Sequence, residues 1–185
     1  MPQETPPKRL RLLNSGDSKG LPLALELWGA PRWKSGGAIS QDFTTNKTLE
    51  DEARRLGIPL NYCWHKTSFP RPTQDGGYII NLADEGKAGT HWTALWREGN
   101  EFVYFDSFGF VPPLEVEAQL PKYLYNATII QDWEFGGCGS YCIEFLQYMN
   151  EHGAVPLRKR FQDFLNLFHQ NYRKNRAVLR RLEQD

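Results

Sequence analysis

The chain is poor in cysteine, with only Cys63, Cys138 and Cys142 among 185 residues. An odd number, with no apolar leader in the opening "MPQETPPKRLRLL", argues against a disulfide framework and for free thiols in a reducing compartment. Long hydrophobic runs are missing too, since no stretch approaches the roughly 20 consecutive apolar residues of a membrane span. Charge of one sign is not in excess: Lys plus Arg and Asp plus Glu each total 22, so the global balance demands no polyanionic partner. No internal repeat is present. With 40% hydrophobic and 14% aromatic residues, the length suits one domain with a sizeable core and is too short for two. A soluble intracellular domain is expected.

What the chain does have is concentrated in "GGCGSYCIEFLQYMN" at 136–150, where a glycine-rich turn becomes a helix carrying Cys138 and Cys142. A closed zinc site needs four ligands, usually in close pairs. The other candidates, Cys63, His65, His91, His152 and His169, supply no second close cysteine pair, so the spacing resembles no common zinc module. Cys142 recurs with Phe145, Leu146 and Met149 at helical spacing and is expected to face the core. Cys138 sits among Gly136, Gly137 and Gly139, with little bulk to bury it. At a helix N-terminus the macrodipole and the unpaired amides of the first turn favour thiolate, which makes Cys138 a candidate nucleophile.

A nucleophile needs a base and the base an orienting group. In "GTHWTALW" (89–96), alternation after the breaker run "ADEGKAG" predicts a strand beginning at His91, and "EFVYFDSFGF" after the turn "REGN" predicts its partner strand, ending at Asp106. A carboxylate ending an apolar strand is costly to bury unless it is paired, and the His91 imidazolium would pair with it. Taken singly, His91 reads equally as a satisfied histidine in a sheet and Asp106 as a turn starter. Gln131, after "ATII", reads either as the end of a strand or, from its spacing to Cys138, as a functional amide.

The order His91, Asp106, Gln131, Cys138, with the segments "GGYIINL", "GTHWTALW", "YFDSFG" and "CGSYCIEFL", resembles the adenovirus-protease and ubiquitin-like-protein-protease superfamily of cysteine peptidases. Within it, the chain is similar to the maturation proteases of virophages and of large self-synthesising DNA transposons. The resemblance covers roughly residues 40–150. It implies an α+β fold, with a small mixed sheet flanked by helices and the cysteine opening a central helix. It further implies Cys138 as nucleophile, His91 as general base and then acid, Asp106 as the group holding the imidazole, and Gln131 with the Cys138 amide as the oxyanion hole. Trp92, Gly137 and Trp133 become substrate-binding candidates lining a narrow slot for glycine-containing sequences. Trp133 and Phe135 read equally as packing residues. No cofactor or metal is implied.

Two activities follow from the resemblance: an endopeptidase trimming capsid precursors during virion maturation, or a protease acting on ubiquitin-like modifiers. A non-enzymatic binding module on the same fold is the third reading. For the first, the expected setting is the host cytoplasm or a viral factory, with packaging in the virion, and a monomer with no membrane partner.

The remaining chain is read as follows. "TNKTLEDEARRLGIP" predicts a helix capped by Thr48 and stopped at Gly57, and "LNYCWHKTSF" an irregular or strand segment in which Cys63 is a buried thiol. "LEVEAQLPKYL" predicts a short helix or turn, and "YNATII" a strand leading to Gln131. Residues 1–38 are taken as an N-terminal extension of the single domain 1–185. Residues 157–185 are read as one long basic helix with Phe161, Phe164, Leu165 and Phe168 on one face. Its charges Arg173, Lys174, Arg176, Arg180 and Arg181 suit either a solvated surface or, as in some relatives, DNA phosphates. The pair Gly36-Gly37 is a predicted self-cleavage point.

Overall fold

The computed structural model describes residues 10–16, 45–87 and 90–184; the Gly36-Gly37 pair and the apolar stretch at 21–28 lie outside the described residues. The strands are β1 (Leu10–Asn14), β2 (Leu60–His65), β3 (Gly76–Asn81), β4 (Trp92–Glu98), β5 (Glu101–Phe105) and β6 (Lys122–Asn126). The helices are α1 (Asn46–Arg55), α2 (Leu114–Glu117), α3 (Cys138–Glu151), α4 (Leu157–Asn166) and α5 (Asn175–Leu182).

Alternation along the central strands creates two cores. Ile79, Trp92, Ala94, Trp96, Val103 and Phe105 face one side of the sheet, where they meet α1, α3, α4 and α5. Tyr78, Ile80, Leu95, Phe102 and Tyr104 face the other, covered by Phe69, Val111, Val116 and Leu120. Burial on both faces is why these strands read as nearly continuous apolar runs. The sheet order is β1-β6-β5-β4-β3-β2. It is mixed: β2–β3 and β5–β6 are parallel, and the other pairs antiparallel. The fold is thus α+β, an open six-stranded sheet flanked by helices.

Helix α3 is the central helix, with Tyr141, Cys142, Ile143, Phe145, Leu146 and Met149 all buried. It runs alongside β4, because Cys138 meets Trp92 at one end and Arg160 links Met149 to Glu98 at the other. Arg160 is almost fully buried; it donates to the carbonyls of Met149 and Val155 and pairs with Glu98 at 2.6 Å. It therefore satisfies the Met149 carbonyl in the last turn of α3, one of those that helical geometry leaves without partners, and the Val155 carbonyl in the turn that follows. Phe105, Phe145, Phe161 and Phe164 form an aromatic cluster with centroid separations of 4.9–5.6 Å, in the offset and edge-to-face range that favours such pairs.

Three sequence expectations are corrected. The cap of α1 is Thr45, in a reciprocal capping box with Thr48, so the helix begins at Asn46. Strand β6 occupies Lys122–Asn126, earlier than "YNATII", because the Asn126 amide turns back to Asp106 and Thr128 and ends the ladder. Within the stretch 1–38 taken as an N-terminal extension of the domain, strand β1 pairs with β6.

The long C-terminal helix is broken into α4, a 3₁₀ turn at Tyr172–Lys174 and α5. The break is made by Asn175, fully buried, whose Oδ1 accepts the His169 N–H at 2.6 Å while its Nδ2 donates to His169 O and Ile130 O. Asn171 adds a side-chain cap to the 3₁₀ turn. Short polar side chains that bond nearby backbone compete with helix in this way.

Candidate functional site

The site forms where the N-terminus of α3 meets the start of β4 and the end of β5. Cys138 is half-buried, the first residue of α3. Gly137 before it has φ +122°, a conformation open to glycine and strained for a residue with a side chain, and it delivers the chain into the helix at this angle. The Cys138 sulfur accepts the backbone N–H of Trp92 at 3.4 Å.

His91 immediately precedes β4 and is 3% exposed. Its Nε2 lies 2.9 Å from Asp106 Oδ1, which leaves Nδ1 as the nitrogen for Cys138, with which the ring also interacts. Burial pulls the His91 pKa down, but the Asp106 charge and hydrogen bond, then Cys138, outweigh it and push it up to about 10. The imidazole therefore favours its protonated form.

Asp106 is fully buried at the end of β5. Its Oδ1 also accepts the Phe108 N–H at 2.8 Å. The Asp106 backbone is held on both sides by Asn126, which accepts its N–H and donates to its carbonyl. Gly109 closes the following turn at φ +77°; a Cβ there would come within 2.7 Å of the Thr128 backbone, so the two loops approach as only glycine permits.

Gln131 is held by Ser107. The Ser107 carbonyl accepts the N–H groups of Ile130 and Gln131, and its hydroxyl donates to Gln131 Oε1 at 2.6 Å. With the oxygen fixed, the amide nitrogen is oriented: Gln131 Nε2 donates to Phe135 O at 2.8 Å. A primary amide has two N–H groups, and among the described residues the second has no hydrogen bond.

Cys138, His91 and Asp106 are thus brought together in one chain of contacts, and Gln131 is placed in the loop leading to the cysteine, bonded to Phe135 three residues before it. The Trp92 side chain is 7% exposed and packs in the larger core, so the part of Trp92 that meets Cys138 is its backbone N–H. Trp133 is 37% exposed and stacks on Phe108 at 4.3 Å, and Phe108 lies 5.0 Å from the His91 ring. An aromatic stack therefore leads from the imidazole to the surface.

Cys142 is buried one turn along α3, and burial pushes its thiol well above the ordinary range. Cys63 is buried likewise, its thiol pushed up to about 12 first by burial and then by Glu50. Among the described residues, no three His, Cys, Asp or Glu side chains are grouped to hold a metal ion, and no helix is long and apolar enough to cross a membrane.

Sequence reasoning missed Ser107, Phe108, Asn126 and Asn175. Ser107 and Phe108 lie in the quoted "YFDSFG", whereas Asn126 and Asn175 carry no signal beyond being polar residues beside apolar runs. No protein-family model matches the chain, and no curated protein matches it.

Proposed function

We propose that the protein is a cysteine endopeptidase of the adenovirus-protease type, cutting capsid precursor proteins at exposed glycine-containing linkers during virion maturation. The observation that carries this reading is the contact chain Asp106–His91–Cys138, with a half-buried sulfur at a helix N-terminus beside an imidazole held protonated. A helix that starts at the cysteine and runs along the strand headed by the histidine, with the acid on the neighbouring strand, supports the papain-related fold of that superfamily.

In the proposed reaction the Cys138 thiolate attacks the scissile carbonyl, forming a C–S bond as the carbonyl π electrons move to oxygen. The developing oxyanion takes the second N–H of Gln131 and the backbone amide of Cys138; one such donor is worth about 2.7–4 kcal/mol. The tetrahedral species collapses, the C–N bond breaks, and the imidazolium of His91 gives its proton to the departing amine. Neutral His91 then takes a proton from water, which attacks the thioester, releases the acid and regenerates the thiolate. Asp106 holds the ring and stabilises its charge throughout.

Cleavage of short peptides bearing Gly-Gly, Gly-Ala or Gly-Xaa-Gly, beside a ubiquitin-like modifier precursor, tests the reading. Wild type is expected to cut the peptides and Cys138→Ala to cut none. Cleavage of the folded modifier alone would transfer the assignment to a modifier protease, and equal cleavage by Cys138→Ala would remove the site from the chemistry.

A further inference from the structure

Helix α5 touches the loop between Ile130 and Cys138 at three points, each beside a group of the site. Asn175 Nδ2 donates to Ile130 O at 2.9 Å, immediately before Gln131. The Arg176 guanidinium lies over the Phe135 ring at 4.3 Å from its centroid, and Phe135 O is the acceptor that orients Gln131. Leu179 faces Gly137, the residue before Cys138. The loop is thus latched from outside by the C-terminal segment.

The outer side of this latch is an open hollow of about 580 Å³ lined by His169, Arg173, Lys174, Arg176, Ala177 and Arg180. Among the described residues, none of Arg173, Lys174, Arg176 and Arg180 is in an ion pair, whereas Arg54, Arg55, Arg97, Lys66, Lys159 and Arg160 all are. Four like charges around one hollow repel one another, and a multiply charged anion relieves that cost. Guanidinium forks match phosphate oxygens in pairs, and the volume is that of a small-molecule site, larger than a single phosphate needs. Arg181 lies outside the hollow.

Arg176 joins the two sides. A guanidinium whose carbon lies over an aromatic ring makes that contact without using up its N–H donors, which can still meet an anion. An anion in the hollow would therefore fix Arg176 on Phe135 without drawing it away.

We propose that the hollow is a binding site for an oligophosphate group, and that its occupancy tightens the latch on the Gln131–Cys138 loop. The effect on rate rests on the peptidase reading, but the binding does not.

The test uses the full chain at low salt, titrated calorimetrically with tripolyphosphate, with ATP free of magnesium and with a short DNA duplex. One-site binding of tripolyphosphate is expected, raising the melting temperature by about 5–10 °C at a hundredfold excess over Kd. Arg181→Ala should retain this shift, and Lys174→Glu/Arg180→Glu should lose it while still melting cooperatively. Tighter binding of ATP would name a nucleotide as the source, and equal binding would name the phosphate chain alone. Binding of duplex without tripolyphosphate, or no saturable binding of either short anion, overturns the site. Binding that leaves the peptide-cleavage rate of an active enzyme unchanged overturns the coupling to the loop.

Discussion

The two walls of the site are built differently. The wall carrying His91 and Asp106 belongs to paired strands: His91 precedes β4, Asp106 follows β5, and the two strands pair from Ala94–Phe105 to Glu98–Glu101. The opposite wall, residues 127–137, forms no strand ladder among the described residues; two backbone bonds to the Ser107 carbonyl hold it, with side chains reaching in from elsewhere, Ser107 from the β5 end and Asn175 and Arg176 from α5. A sheet holds its residues by repeated backbone bonds that few substitutions can reach. A loop latched at a few points depends largely on a handful of side chains, so the loop side is where the site can be loosened.

The largest expected effect lies on the sheet wall. Asp106→Asn should lower kcat by about 10⁴-fold, as loss of the orienting carboxylate does in such triads; steady-state kinetics with a glycine-containing peptide would show it, and a small loss would separate Asp106 from the chemistry. On the loop wall, Gln131→Ala should lower kcat by about 10²–10³-fold with little change in KM. An unaltered kcat would leave Gln131 a purely structural residue.

Asn175→Ala sharpens the contrast, because it strips partners from Ile130 O and from both backbone groups of His169. The buried Ile130 carbonyl left unsatisfied costs about 1–3 kcal/mol, and each kcal/mol lowers the melting temperature by about 2–4 °C at this size. Calorimetry should show that loss, and hydrogen exchange should show it concentrated at 130–137 and 169–182, with β4 and β5 protected. Uniform loss of protection would contradict the division into two walls.

The smallest effect concerns Glu144, 8% exposed on α3. Burial first, then Glu183, Glu151 and Glu52, push its pKa from 4.5 up to about 8. An acid whose folded pKa exceeds its unfolded one contributes stability that is fully present below about pH 4.5 and lost as pH rises through 8. Glu144→Gln should therefore melt higher than wild type at pH 8 and above, relative to their difference at pH 4.5. Parallel melting curves across that range would mean that Glu144 is not held in its neutral form.

The same division decides what could be read from the sequence. The nearly continuous apolar runs in "WTALWRE" and "EFVYF" and the helical spacing of Cys142, Phe145, Leu146 and Met149 reflect burial against continuous surfaces, which leaves a trace in the sequence. The loop wall leaves none. Asn126 and Asn175 are buried and hydrogen-bonded at every amide atom, yet in the sequence each looks like a turn residue. The apolar period of α4 and the positive charges of α5 run on through the break at His169–Asn171, and only Asn175's three bonds show why the helix stops. Arg160 is nearly inaccessible because it lies between the end of α3 and Glu98, which is 62 residues away in sequence.

The donor that Trp92 offers to the Cys138 sulfur is a backbone amide, while its indole fills the core. Any residue except proline at this position would present the same N–H to the Cys138 sulfur, so this one contact does not depend on what side chain stands there. Variation at 92 would act on the core packing beneath the site and leave that donor in place, so the packing and the contact to sulfur can vary separately.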